Sequence, residues 1–163
     1  MNRYMFVLSS FALVLALVSV PALAAGSETA EKDEPGVPEY NEGVKLMKKG
    51  AFAEAQAKFE AALAENEKFA EAHNNLAFSL RKQGKENWDA ALEHYSRAIE
   101  LKPKMAEAYM YRGVLYSLMG DEESALADHA TLVKLNRKLA KALQAAIASG
   151  EEPDGLEGLA KAW

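Results

Sequence analysis

The feature that most restricts the fold is a pattern that recurs three times at a spacing of about 34 residues. Segments 36–69, 70–105 and 106–139 each hold an apolar-periodic stretch, a glycine and a second apolar-periodic stretch. The breaks fall at Gly50, Gly84 and Gly120. A glycine at a helix end accepts the left-handed backbone that closes the last turn. Lys48-Lys49 and Arg81-Lys82 lie just upstream, where cations favour a helix C-terminus. Asn87 and Asp121 lie just downstream, in good N-cap positions for the next helix. Each segment therefore reads as two helices joined by a turn. A unit of this size cannot bury its apolar face alone, so the units must stack into one array. The prevalence of Ala, Leu, Glu and Lys over β-branched residues supports helices rather than strands.

Specific packing places repeat in register. The eighth residue of each first helix is small: Gly43, Ala77 and Gly113. The eleventh is large: Leu46, Leu80 and Tyr116. In the second helix a small residue precedes an aromatic one by four places, as Ala55 with Phe59 and Ala91 with Tyr95. The third copy reads Ala125 with His129. Ala62, Ala98 and Leu132 follow, and Pro103 ends the middle unit. These places resemble the tetratricopeptide repeat family, most closely over residues 91–103. The resemblance covers about two-thirds of the chain. It implies an all-α, right-handed solenoid of three helical hairpins. The fourth and seventh places depart from the family pattern, which favours Trp and Leu there. They hold Glu39, His73 and Tyr109, then Glu42, Leu76 and Arg112. The middle unit carries about two extra residues near Glu86-Asn87.

Residues 140–149 continue as a seventh helix, with Leu143 and Ile147 spaced to cover the open face of the last hairpin. Residues 150–163 form a tail in which Leu156, Leu159 and Trp163 recur at helical spacing after a Pro153-Asp154-Gly155 turn. This segment packs on the last helix or docks in a groove, of its own chain or of a second copy.

The N-terminus has the layout of a secretory signal: Arg3, an apolar run to Val20, Pro21, and small residues at Ala22 and Ala24. Cleavage is expected after Ala24, giving a periplasmic or secreted protein. An uncleaved anchor is the rival reading, because no charge occurs between Arg3 and Glu28. Residues 25–35 read as a flexible acidic leader. Residues 1–24 carry one base, Arg3, and no acid, so the remainder has 18 basic against 24 acidic residues and a net charge of −6. That balance argues against nucleic acid or an anionic membrane surface as the main partner.

No catalytic constellation is present. The chain has no cysteine, which excludes thiol catalysis and thiolate metal sites. It has no nucleophile elbow, phosphate-cradling loop or His-Glu-x-x-His. His73, His94 and His129 occupy packing places that argue against convergence on a metal, and His129 stands where Phe59 and Tyr95 stand. No metal, cofactor or enzymatic activity is expected.

The resemblance implies that the first helices line a concave surface, with residues 2, 5, 9, 12 and 13 of each unit facing inward. Tyr40, Val44, Met47, Phe78, Met110 and Val114 then form an apolar stripe, and an exposed stripe of this kind marks an interaction site. Asn74, Asn75 and Arg81 stand where they hold a peptide backbone or carboxylate. The family's clamp for acidic chaperone tails is missing, because the matching places hold Tyr40, Val44, Asn75, Glu107 and Tyr111 and only Asn75 fits. The sequence thus reads as a non-catalytic, exported adaptor that binds a segment of another envelope protein. The alternatives are a self-associating structural protein using residues 156–163, or a membrane-anchored assembly factor if the signal is retained.

Overall fold

The computed structural model describes residues 34–152. The expected signal segment and its cleavage after Ala24, the leader up to residue 33, and the tail from residue 153 onward lie outside the described residues.

The described chain is an all-α solenoid. Its helices run α1 (Val37–Lys48), α2 (Phe52–Glu65), α3 (Ala70–Gln83), α4 (Trp88–Leu101), α5 (Ala106–Met119), α6 (Glu122–Leu135) and α7 (Arg137–Ser149). The pairs α1/α2, α3/α4 and α5/α6 form the hairpins, and α7 packs against both α5 and α6. Gly120 ends α5 with a left-handed φ of 83°, a conformation that only glycine adopts readily. Asp121 then caps α6 by accepting from the Ser124 amide at 3.0 Å. Asn87 does not cap α4 as its position suggested. The extra residues of the middle unit instead form a short 3-10 turn, Lys85–Asn87, that leads into α4.

The seventh helix starts three residues earlier than the periodicity indicates. Asn136 caps it, accepting from the amides of Lys138 and Leu139 at 3.1 and 3.2 Å. Leu143 is fully buried and Ile147 packs partly against the core, so α7 covers the open face of the third hairpin.

The small eighth places explain how closely the helices cross. A Cβ on Gly43 would stand 2.7 Å from Phe59 Cε1, and one on Gly113 would stand 2.5 Å from Leu143 Cδ2. Phe59 and Tyr95 are fully buried in their repeated aromatic place. His129 does not join them. It is only half-buried, while the preceding residue, Asp128, turns into the interior.

Candidate functional site

The first helix of each unit meets the next along the inner face, and the nine candidate residues lie there. The expected exposure of this stripe is corrected: the structure buries all nine. Tyr40, Val44, Met47, Phe78, Met110 and Val114 are at most 4 % exposed, and Asn74, Asn75 and Arg81 at most 5 %. Ring packing within and between units contributes to this burial. Tyr40 stacks between Phe69 and Phe59 at 4.7 and 5.7 Å, and Phe78 lies between Tyr111 and Phe52 at 5.1 and 6.0 Å. Removing this apolar area from water outweighs leaving it open.

Asn75 is spent inside the fold. Its Nδ2 donates to the Tyr40 hydroxyl at 3.0 Å, and its Oδ1 accepts from Asn74 Nδ2 at 3.1 Å. Burial pushes the Tyr40 hydroxyl well above the ordinary tyrosine pKa, with Glu71 adding to the rise. The Oδ1 of Asn74 is buried without a hydrogen-bond partner among the described residues.

Arg81 is the most unusual residue of the face. Its side chain is 2 % exposed, yet it carries a charge. Nη2 donates to Glu152 Oε1 at 2.9 Å, across 71 residues of sequence. Lys82 reaches Glu152 Oε2 at 3.4 Å. The Arg81 guanidinium lies 5.1 Å from the Phe78 ring centre, a cation–π contact. Nε and Nη1 are buried with no well-aligned partner among the described residues. Burial opposes the Arg81 charge, but the Tyr95 hydroxyl and the Glu152 carboxylate more than offset it and its pKa rises. Tyr95 is pushed up to about 12 by burial, against the pull of Arg81. For Glu152 burial raises the pKa, and Arg81 with Lys82 pulls it further down, so the carboxylate stays ionised.

Sequence reasoning missed three polar pairs behind this face. The residue just before the aromatic place is Lys58, His94 or Asp128. Each bonds a fourth- or seventh-place residue of its own unit's first helix. Lys58 meets Glu42 at 2.7 Å. Arg112 donates two hydrogen bonds to Asp128, at 3.0 and 2.7 Å, and a third to Ser96 at 3.0 Å. His73 and His94 do converge, contrary to expectation, with their Nδ1 atoms 2.9 Å apart. His73 Nε2 faces the Glu67 carbonyl at 3.0 Å, so it holds the proton. The neutral ring then accepts at Nδ1 from the His94 Nδ1–H. His129 stands apart, and no group of three potential metal ligands forms among the described residues.

Comparison with known proteins decides the family. A model described as tetratricopeptide repeat matches residues 40–86, and one described as TPR repeat matches residues 85–120. The chain belongs to the tetratricopeptide repeat family. Proteins built of tetratricopeptide repeats are generally non-catalytic and bind other proteins. Photosystem I assembly protein Ycf3 of Cyanophora paradoxa is 28% identical over 90 residues, 55% of this chain and 52% of that protein. A UDP-N-acetylglucosamine–peptide N-acetylglucosaminyltransferase of Giardia intestinalis is 44% identical over 46 residues, 28% of this chain and 3% of that protein. The chain thus spans about half the length of the first relative and a small part of the second. The tetratricopeptide match covers the helices that carry Tyr40, Asn74, Phe78, Arg81 and Met110.

Proposed function

We propose that this tetratricopeptide protein is a non-catalytic adaptor that works outside the cytoplasm and holds a segment of another envelope protein against its inner face. Residues 1–24 deliver it, with cleavage after Ala24. The observation that carries the reading is Arg81: a cation kept against Phe78 and Tyr95 on the face that the family uses for ligands, with its Nη2 donating to a carboxylate. A buried charge costs several kcal/mol unless it is paired, and Arg81 is paired with the Glu152 carboxylate, which shows the kind of group this place accepts. The partner reaches the face through its half-buried rim, which includes Asn41, Lys82 and Leu118. The likeness to a protein named for photosystem assembly supports the variant in which the adaptor is an assembly factor, tethered if the signal is retained.

The test is capture from envelope extract with the chain as bait, beside Lys82→Glu/Leu118→Asp. Because Leu118 packs partly against the core, circular dichroism first checks that the variant keeps its helicity. A partner held by the first and lost by the second supports the inner face as the site. Equal capture by both contradicts it, and a chain that captures only itself favours the self-associating structural reading through residues 156–163.

A further inference from the structure

Arg81 and Lys82 already hold a carboxylate, and it belongs to the chain itself. Gly150 ends α7 with a left-handed φ of 68°. The chain then turns back, and two residues later Glu152 reaches α3 on the inner face. Helix α7 packs on α5 and α6, so this turn carries the C-terminus from the last hairpin to the middle one. The chain is acidic overall at −5, and it places Glu152 against Arg81, a buried cation.

We propose that Arg81 and Lys82 form a carboxylate-binding site on the inner face, and that the chain's own C-terminal segment, residues 151–163, is its internal ligand. The proposal rests on the reading of the inner face as the partner site and names the chemistry that site selects: an acidic residue followed by an apolar run. In the chain's own segment Glu152 is that acid, and Leu156, Leu159 and Trp163 are the run. Eleven residues follow Glu152. They span about 17 Å as a helix and about 40 Å extended. Neighbouring helices stand about 8–10 Å apart, so either form reaches from α3 across α1 or α5. Arg81 Nε and Nη1 have no well-aligned acceptor and Asn74 Oδ1 no donor among the described residues, so a ligand that reaches them gains hydrogen bonds. A partner with the same chemistry must displace the segment, which makes the adaptor self-occluded until that partner arrives.

The test uses a dye-labelled synthetic peptide of residues 151–163, followed by fluorescence anisotropy. The chain ending at Gly150 takes up the peptide saturably, and the full chain binds it at least tenfold more weakly. Arg81→Gln in the shortened chain lowers the affinity at least tenfold. Glu152→Gln in the full chain, which deletes nothing, moves its affinity for the peptide towards that of the shortened chain. Equal binding by the full and shortened chains overturns the proposal, as does no binding to a shortened chain of unchanged helicity. A full chain that is a dimer and dissociates on Glu152→Gln assigns the segment to a second copy and overturns the internal ligand. A shortened chain that excludes the peptide until residues 1–33 are removed assigns the face to the N-terminal segment instead. If the shortened chain binds no peptide while Lys82→Glu/Leu118→Asp still abolishes partner capture, the internal ligand fails and the adaptor reading stands.

Discussion

Replacing Gly43 by Ala sets two opposing effects against each other at the crossing of α1 and α2. In a helix interior Ala is better than Gly by about 0.8–1.0 kcal/mol, so an open site gains stability. At this site the new methyl would stand 2.7, 2.9 and 3.0 Å from Phe59 Cε1, Cδ1 and Cζ. Carbon atoms rest at about 3.5–4.0 Å, so the ring must retreat by nearly an ångström. It has nowhere to go, being fully buried with the Tyr40 ring 5.7 Å away. Overpacking of a filled core costs about 1–3 kcal/mol, and the balance is a net loss of about 1 kcal/mol. Urea unfolding followed by circular dichroism reads this as a lower midpoint at constant slope. The same substitution in a Phe59→Leu background escapes the clash, so there the added methyl stabilises. A Gly43→Ala variant that is more stable than the parent, with Phe59 intact, refutes the close crossing.

Asp128→Ala leaves the Arg112 guanidinium without its bidentate partner at a largely buried site. A loss of about 3 kcal/mol is expected, read as a lower melting temperature, and Asp128→Asn loses less. Asn136→Ala removes the side chain that accepts from two amides of α7, and costs about 1 kcal/mol in the urea midpoint. Burial lowers the pKa values of His73 and His94, which lie among Glu60, Glu67, Glu93 and Arg97. Between pH 7 and pH 5 the unfolded chain takes up protons at these rings before the folded one does. Their contribution is whole above about pH 6.5 and is lost as pH falls, at up to about 1.4 kcal/mol per pH unit for each ring. Thermal melts at pH 7 and pH 5 should show the drop, and His94→Gln should flatten it; an identical slope in that variant contradicts the pairing.

The helical hairpins were legible because glycine breaks and small-to-large packing places repeat along the chain. Gly43 facing Phe59, and Leu143 covering Gly113, depend only on local periodicity and on stacking of like units. The condition of the inner face was not legible in the same way. Whether Phe78 is open depends on rings contributed by neighbouring units, and whether Tyr40 is open on Phe59 and Phe69 across its own hairpin; helical spacing carries no record of either. The polar pairs did leave a signal. The departures at Glu42, His73 and Arg112 from the apolar family pattern match polar residues at one shared place of the second helix, Lys58, His94 and Asp128. Two departures from an apolar pattern that face each other across a hairpin are best read as one interaction. No local rule pairs Arg81 with Glu152, because 71 residues separate them.

The central claim is that a second protein sits on the inner face. Photo-crosslinking in intact cells tests it most directly, with a crosslinking residue placed at Lys82 or Leu118 on that face, or at the exposed Leu126 on α6 and Lys138 on α7. A covalent adduct with a different protein is expected from the inner positions and none from the outer ones. Adducts from α6 and α7 alone, or inner adducts that contain only a second copy of this chain, would contradict it.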